Sequence, residues 1–307
     1  MDNRNENKEK KHKKRIPLVD TIRQNLTERK KPSNFLLSVL VTTIKLFVIF
    51  LLVLGFSGFG AVLGIAKAYV DGTPALDVNR IEDQSLTSFL YDKNGDLITE
   101  YNGLEHRIWA NLDEIPKNVQ NALIATEDVR FYAHNGLDYK RLAGAFLNNL
   151  KSESVQGGST ITQQLVKNTM LSMEQTYKRK IQEAYLSLQL EKEYSKDEIL
   201  EAYLNTIYLG SGNYGVKVAA EDYFGKDLKD LNLRESAVLI GITKNPYRYD
   251  PRLNFYKRGK PEVTYRRANL VLQLMYENGL LSKSDYENAR FDEKNPSDPK
   301  NEGFQVI

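Results

Sequence analysis

The longest apolar stretch of this 307-residue chain runs from Phe35 to Ala66, and its only charged residue is Lys45. The uncharged part, Leu46 to Ala66, reaches the roughly 20 residues that a helix needs to cross a bilayer. A cleavable signal peptide would have a shorter apolar core ending in a small-residue cleavage site. The sequence therefore predicts a single-pass membrane anchor at residues 35–67.

A basic leader, residues 1–34, precedes this anchor and includes an almost unbroken run of Lys and Arg at 10–15. Such a run is typical of a solvated tail, and basic flanks stay on the cytoplasmic side. We therefore expect a cell-membrane protein with a cytoplasmic N-terminus and all residues after Tyr69 outside. The formal net charge of +3 indicates no nucleic-acid partner. The absence of cysteine excludes disulfides, thiol nucleophiles and cysteine metal ligands.

Beyond the anchor, the hydrophobic periodicity predicts a mainly α fold. Residues 68–115 are expected to form a connector and a β-hairpin, because Asn94-Gly95 separates two alternating runs. Residues 116–290 form the helical domain, and 291–307 a linker-like tail. The expected helices begin after Pro116 and then cover 138–150, 160–170, 177–192, 196–207, 233–242 and 264–277. Ser195 with Glu198 fits a capping box, and Asn232 fits a helix cap.

The first group of chemically active side chains is Glu127, Asp128, Phe131 and His134. If this segment were one helix, Glu127, Phe131 and His134 would share a face, and Asp128 could point into the same cleft. An acid beside an aromatic residue is a plausible general base. A surface carboxylate pair near a helix end fits the spacing equally well.

The second group begins with Gly157-Gly158 and carries Thr160, Gln164 and Lys167. A hydroxyl, an amide and an ammonium group beside a helix N-terminus suit an oxyanion such as phosphate. An ordinary capped helix is the alternative.

The third group, Arg179, Lys180 and Glu183, lies on one side of an expected helix. Its cations could bind an anionic leaving group, or the group could be a solvated face with an ion pair. The stretch from Leu137 to Leu150 is unusually apolar, which indicates core packing or a surface that enters lipid. The aromatic and Asn positions between Tyr203 and Gly210 look mainly structural, although they could wall a cleft.

Together these motifs resemble glycosyltransferase family 51, the peptidoglycan glycosyltransferase domain of class A penicillin-binding proteins, over about Tyr91 to Met275. Four motifs of that family stand intact, at 127–136, 157–164, 179–183 and 203–210. The fifth is looser. Ile240 replaces a usual Ala, and Thr243 stands where Pro is frequent, a departure expected to lie far from the charged motifs.

The resemblance implies a lysozyme-like, two-lobed fold that polymerises lipid II into β-1,4-linked glycan with inversion and releases undecaprenyl diphosphate. It also implies a membrane-touching region, other cell-wall synthesis proteins as partners, and a divalent cation, magnesium or manganese, in many members. No organic cofactor is implied, and the metal ligands are unknown.

Carried onto this sequence, the resemblance makes Glu127 the base and Glu183 a second catalytic carboxylate. The cations Lys167, Arg179 and Lys180 would hold phosphates. The remaining substrate-binding positions would shape the site: Asp128, Phe131, His134, Thr160 and Gln164.

Two rival functions remain at this point: a lysozyme-like lytic enzyme that cleaves glycan, and a non-catalytic membrane-anchored scaffold. The cations beside two Glu favour synthesis over lysis, since lysis needs no phosphate site. The chain carries no transpeptidase motif, because its Ser297-Asp298-Pro299-Lys300 lies in the final tail and no Lys-Thr-Gly occurs. The polar tail leads us to expect a truncated longer protein.

Overall fold

A computed structural model of the chain describes residues 33–82, 88–101, 106–151, 157–171, 174 and 176–307. It divides into two compact units, residues 1–65 and 66–307. The expected basic leader lies outside the described residues, apart from its last positions.

One apolar helix, α1 (Ser33–Asp71), covers the expected anchor. Its segment Phe35–Asp71 contains an 18-residue stretch with a mean hydropathy of 2.7 and is the only helix in the described ranges that is long and apolar enough to cross a membrane. Its large apolar side chains are exposed, Phe35 by 71% and Phe56 by 73%. Exposed apolar side chains on this scale fit a lipid environment better than water.

The second unit is predominantly helical, as the periodicity predicts. Its elements in chain order are α2 (Asn79–Glu82), β1 (Ser88–Tyr91), β2 (Leu97–Tyr101), β3 (His106–Arg107), α3 (Lys117–Glu127), α4 (Tyr139–Lys151), α5 (Ile161–Met170), α6 (Tyr177–Glu193), α7 (Lys196–Thr206), β4 (Asn213–Tyr214), α8 (Val216–Phe224), α9 (Leu233–Ile242), α10 (Pro246–Tyr249), α11 (Pro261–Glu277) and α12 (Lys283–Ala289). Strands β1 and β2 form the expected antiparallel hairpin, and β3 pairs with β4 in parallel.

Local capping signals fix several helix starts. Ser195 and Glu198 form the expected capping box on α7, and Asn232 caps α9 together with Glu235. Thr160 and Gln163 form a third box at α5. Each box satisfies backbone N–H groups that a helix start leaves without a partner.

Two sets of helices build the core that carries the site. Helices α3, α9 and α11 pack on one another, and α5 packs against α6 and α7. The interior includes aliphatic residues with no exposed surface, among them Val119, Leu165 and Leu239. This arrangement brings the C-terminal end of α3 beside α5 and the end of α9.

The expectation that residues 291–307 form a linker-like tail is wrong. Phe291, Phe304 and Val306 are buried in the core, and the Ile307 amide donates to the carbonyl of Tyr223 at 2.9 Å. The ring of Phe304 packs edge-on against Phe291. The polar composition of the segment hid these few apolar anchors.

Candidate active site

Glu127 is the last residue of α3, so the condition of one helix through His134 is not met. Asp128 leaves the helical conformation at φ −157° and ψ 74°. Phe131 then starts a separate 3₁₀ turn, Phe131–Ala133. Asp128, Phe131 and His134 therefore lie in the turn that follows α3 rather than on a helix face shared with Glu127.

A hydrogen-bonded chain orients the half-buried Glu127 carboxylate. Gln164 Nε2 donates to Glu127 Oε2 at 2.8 Å, while Gln164 Oε1 accepts from the Tyr203 hydroxyl at 2.9 Å. Burial, together with the nearby Glu127 charge, raises the pKa of Tyr203 well above its usual value, so its hydroxyl remains a donor. The Tyr203 proton thus determines which end of the Gln164 amide faces Glu127.

Thr243 reaches the other carboxylate oxygen: its hydroxyl lies 3.3 Å from Glu127 Oε1 and 2.8 Å from the carbonyl oxygen of Ile240. The expectation that the fifth-motif departure lies far from the charged motifs is therefore wrong. The two residues are 116 positions apart in the chain. Only the packing of α3 against α9 brings them together, and sequence spacing carries no trace of it.

Asp128 ties the first motif to the second. It is buried, and its Oδ2 accepts from His134 Nε2 at 2.9 Å and from the Ile161 amide at 3.1 Å. A carboxylate at the N-terminus of α5 is also favoured by the helix dipole. Asp128 and His134 therefore hold the turn after α3 against the start of α5.

Thr160 and Phe131 also support the site from within. Thr160 is fully buried, and its hydroxyl donates to the Gly136 carbonyl at 2.6 Å. Phe131 is fully buried, with the Lys196 ammonium 4.4 Å from its ring centroid. Both positions hold the motifs in place, whereas a direct contact of either with substrate stays a prediction.

A second support was missed at the sequence level. Arg130 pairs with the buried Asp138, whose Oδ1 also caps α4 by accepting from the Arg141 amide at 2.7 Å. The Arg141 guanidinium in turn donates to the main-chain carbonyl of Glu127. An acidic residue just before α4 was the available signal, since Asp is a preferred helix cap.

The cations of the second and third motifs gather around Glu183. Lys180 pairs with the Glu183 carboxylate and donates to Ser159 Oγ at 2.7 Å. Burial lowers the pKa of Lys167 below that of an ordinary lysine; Glu183 and Glu127 oppose the shift, whereas Arg179 and Lys180 add to it. Five charged groups therefore interact in one region: Glu127, Lys167, Arg179, Lys180 and Glu183.

Two polar atoms of the third motif have no hydrogen-bond partner within the described protein. Glu183 Oε2 and Arg179 Nε are both buried and unpartnered. Buried polar atoms are normally satisfied, so a ligand with both donor and acceptor character would complete the site.

The described residues do not by themselves fit a resident divalent ion. Among them, no group of three or more His, Asp or Glu side chains converges as a metal site would require. Glu183 already pairs with Lys180 and interacts with the Lys167 charge, and both cations disfavour a further positive charge.

Comparison with known proteins decides the family. The sequence model of the transglycosylase family matches residues 94–276, more than half of the chain. The chain belongs to the transglycosylase family. The matched range contains the hairpin turn, the carboxylates, the cation set and Thr243, so the described site lies wholly within the family's domain.

Two curated relatives are similar over most of this chain. Penicillin-binding protein 1A of Clostridium tetani (strain Massachusetts / E88) is 40% identical over 270 residues, which is 86% of this chain and 33% of the relative. Penicillin-binding protein 1A/1B of Bacillus subtilis (strain 168) is 46% identical over 223 residues, 72% of this chain and 24% of the relative. The chain thus spans a third or less of these relatives' length.

Among solved structures, a crystal structure of penicillin-binding protein 1A from Haemophilus influenzae matches at 26% identity, with a TM-score of 0.37. The match covers 68% of this chain and 20% of that one.

Proposed function

We propose that this transglycosylase domain polymerises lipid II into β-1,4-linked glycan with inversion and releases undecaprenyl diphosphate. The observation that carries the proposal is a Glu127 carboxylate that Gln164 orients and that interacts electrostatically with Lys167. Lys167 also interacts with Glu183 and with the other cations of the site. A base and an anion-binding cluster in one region are what transfer from a diphosphate-linked sugar requires.

In this mechanism Glu127 takes the proton from the acceptor 4-hydroxyl as that oxygen attacks the anomeric carbon. The bond to the diphosphate oxygen breaks on the opposite face, so the configuration inverts. Gln164 and Thr243 hold the two carboxylate oxygens. This leaves the remaining lone pairs of Glu127 for the incoming hydroxyl.

The leaving diphosphate needs countercharge more than it needs a proton. Lys167, Arg179 and Lys180 would supply that charge. Binding of phosphate would also offset the burial cost that depresses the Lys167 pKa. Glu183 pairs with Lys180 and would hold it in position. A role for magnesium or manganese stays a prediction. The ion would then enter bound to the diphosphate of the substrate.

The bilayer would bring enzyme and substrate together. Helix α1 would anchor the chain in the cell membrane with a cytoplasmic N-terminus. The segment from Leu137 to Leu150 would touch the bilayer. Tyr139 is exposed by 66% and Leu142 by 36%, while the side chains of Phe146, Leu147 and Leu150 lie outside what the structure describes. Proteins of cell-wall synthesis remain the expected partners.

The lytic alternative is tested together with the main proposal by giving the full chain, in detergent or vesicles, labelled lipid II or preformed glycan. The proposal expects long polymer from lipid II that lysozyme digests, and no shortening of preformed glycan. Cleavage of glycan without polymer formation would favour lysis. Neither reaction, with lipid II bound, would favour a scaffold.

A further inference from the structure

A pocket that includes none of the candidate active-site residues lies between α10, α11 and α12. Its volume is about 350 Å³, within the usual range for a small-ligand site. Four guanidinium groups line it, with a single carboxylate, that of Glu293. The arginines are Arg248, Arg266, Arg267 and Arg290.

The innermost of these, Arg267, is buried and has no carboxylate counter-ion in the described structure. Its Nε donates to the Gly241 carbonyl at 3.1 Å, and its guanidinium lies 5.5 Å from the Tyr249 ring centroid. Burial lowers the pKa of Arg267. Electrostatic interactions with Glu127 and Tyr249 oppose this shift without reversing it. A buried charge without a partner is costly unless an anion compensates it.

The neighbouring side chains increase this positive charge. Arg248 lies against the same Tyr249 ring at 5.6 Å, and no carboxylate of the described residues lies within ion-pair distance of it. Arg290 reaches Glu287 only at 3.9 Å. Arg266 alone has a close pair, with Glu293 at 3.2 Å. Like charges gathered with so little compensation are typical of an anion site.

We propose that this pocket binds an oxyanion, a carboxylate or a phosphate, carried by a group with apolar surface. The planar guanidinium fork matches both anions and holds them by paired hydrogen bonds. Tyr249, Leu270 and Tyr286 provide apolar walls for the rest of the ligand. The site is independent of the transfer reaction proposed above, although Arg267 bonds the Gly241 carbonyl two residues before Thr243.

The test uses the full chain, labelled with ¹⁵N-arginine, in detergent micelles. Binding is measured from the arginine Nε–H signals in NMR spectra. The Arg267 signal should be visible because its Nε–H is hydrogen-bonded and shielded from exchange. The probes are inorganic phosphate and N-acetyl-alanyl-alanine, which carries a free carboxylate. We expect a saturable shift of the Arg267 signal with at least one probe, and the tighter probe identifies the phosphate or the carboxylate source.

Arg248→Gln and Arg290→Gln should each weaken this binding several-fold, since both groups lie nearer the surface than Arg267 and their loss spares the core. Lys283→Gln, which removes an exposed charge from α12 outside the pocket, should leave the binding unchanged. Lys180→Ala, in the candidate active site, should also leave it unchanged. The proposal is overturned if no saturable shift occurs, if Lys283→Gln weakens binding as much as Arg248→Gln, or if Lys180→Ala abolishes the shift.

Discussion

The Thr243 hydroxyl has one proton and two acceptors within reach, the Ile240 carbonyl and Glu127 Oε1. It can donate to the ionised carboxylate. Once Glu127 has taken up a proton, the hydroxyl can turn to Ile240 and accept from the carboxyl. The side chain thereby positions Glu127 in both of its protonation states.

Thr243→Val should lower kcat about 2- to 12-fold with little change in KM, because one net hydrogen bond of about 0.5–1.5 kcal/mol is lost. Thr243→Ser should restore most of the rate. Steady-state polymerisation of lipid II measures both. If the Val and Ser variants are equally slow, the methyl group rather than the hydroxyl matters, and this role for Thr243 is wrong.

Lys167 gives a second test, through pH. Its pKa lies below the ordinary 10.5, mainly because of burial, so its ammonium charge is lost at a lower pH than usual. If that charge holds the diphosphate, the rate of polymerisation should fall as pH rises through the lowered pKa. Lys167→Arg should move this alkaline limb to higher pH, because a guanidinium stays charged. Identical alkaline limbs in the two proteins would assign the decline to another group.

The lowered Lys167 pKa also fixes the sign of its effect on stability. The folded state disfavours the charged form, so the side chain destabilises the fold at pH values below its folded pKa. This penalty is relieved as pH rises from the folded pKa towards the unfolded one. A bound anion should relieve it at neutral pH.

Helix α6 carries cations both inside and outside the candidate site, so the effects of their removal can be compared on one helix. Lys180→Ala or Arg179→Ala should reduce kcat/KM about 10- to 150-fold, the equivalent of a hydrogen bond to a charged group, about 1.5–3 kcal/mol. Lys178 is exposed on the same helix, so Lys178→Ala is the matched control and should be near wild type. Equal effects at Lys178 and Lys180 would show only a general loss of charge.

Gly136 lies in the turn after α3, close to the backbone of α6. Its φ is +79°, and an added Cβ would lie 2.8 Å from the Ser187 carbonyl oxygen. Gly279 has a similar φ of +72° with open space around it. Gly279→Ala should therefore cost only the left-handed strain, about 1–2 kcal/mol, and Gly136→Ala clearly more. Thermal unfolding of both variants measures the difference in stability. Equal losses of stability would mean that the turn after α3 can move away from α6.

The same elements show what sequence can predict. The hairpin around Asn94-Gly95 and the capping box of Ser195 and Glu198 follow from neighbours a few residues apart, and the structure confirms both. The contact of Thr243 with Glu127 joins distant helices through packing, which no local pattern encodes. The helical spacing of the motif residues did not predict the end of α3 at Glu127. That end depends on a distant contact, because Asp128 accepts from the Ile161 amide at the start of α5.

The whole chain divides into two compact units, with the boundary inside helix α1. The compact unit begins at Ala66, and Gln182 Nε2 donates to the Gly72 carbonyl within it at 3.2 Å. Removing residues 1–65 should therefore leave a folded domain that polymerises membrane-embedded lipid II poorly. The tether would otherwise give an effective concentration of about millimolar.

The truncated domain should still bind vesicles weakly through the 137–150 segment, and polar substitutions at Phe146 and Leu147 should reduce this binding. Vesicle flotation and polymerisation on the same preparations measure both effects. Full activity of the truncated domain without vesicle binding would make the anchor dispensable and the segment ordinary core.

The proposed function depends on the carboxylate held by Gln164 and Thr243 acting as the base. Wild type and Glu127→Gln can be compared in polymerisation of labelled lipid II and in lipid II binding. We expect Glu127→Gln to lower the rate about 100- to 10,000-fold, with unchanged folding and nearly unchanged binding. A Glu127→Gln enzyme within a few-fold of the wild-type rate would show that Glu127 is not the base.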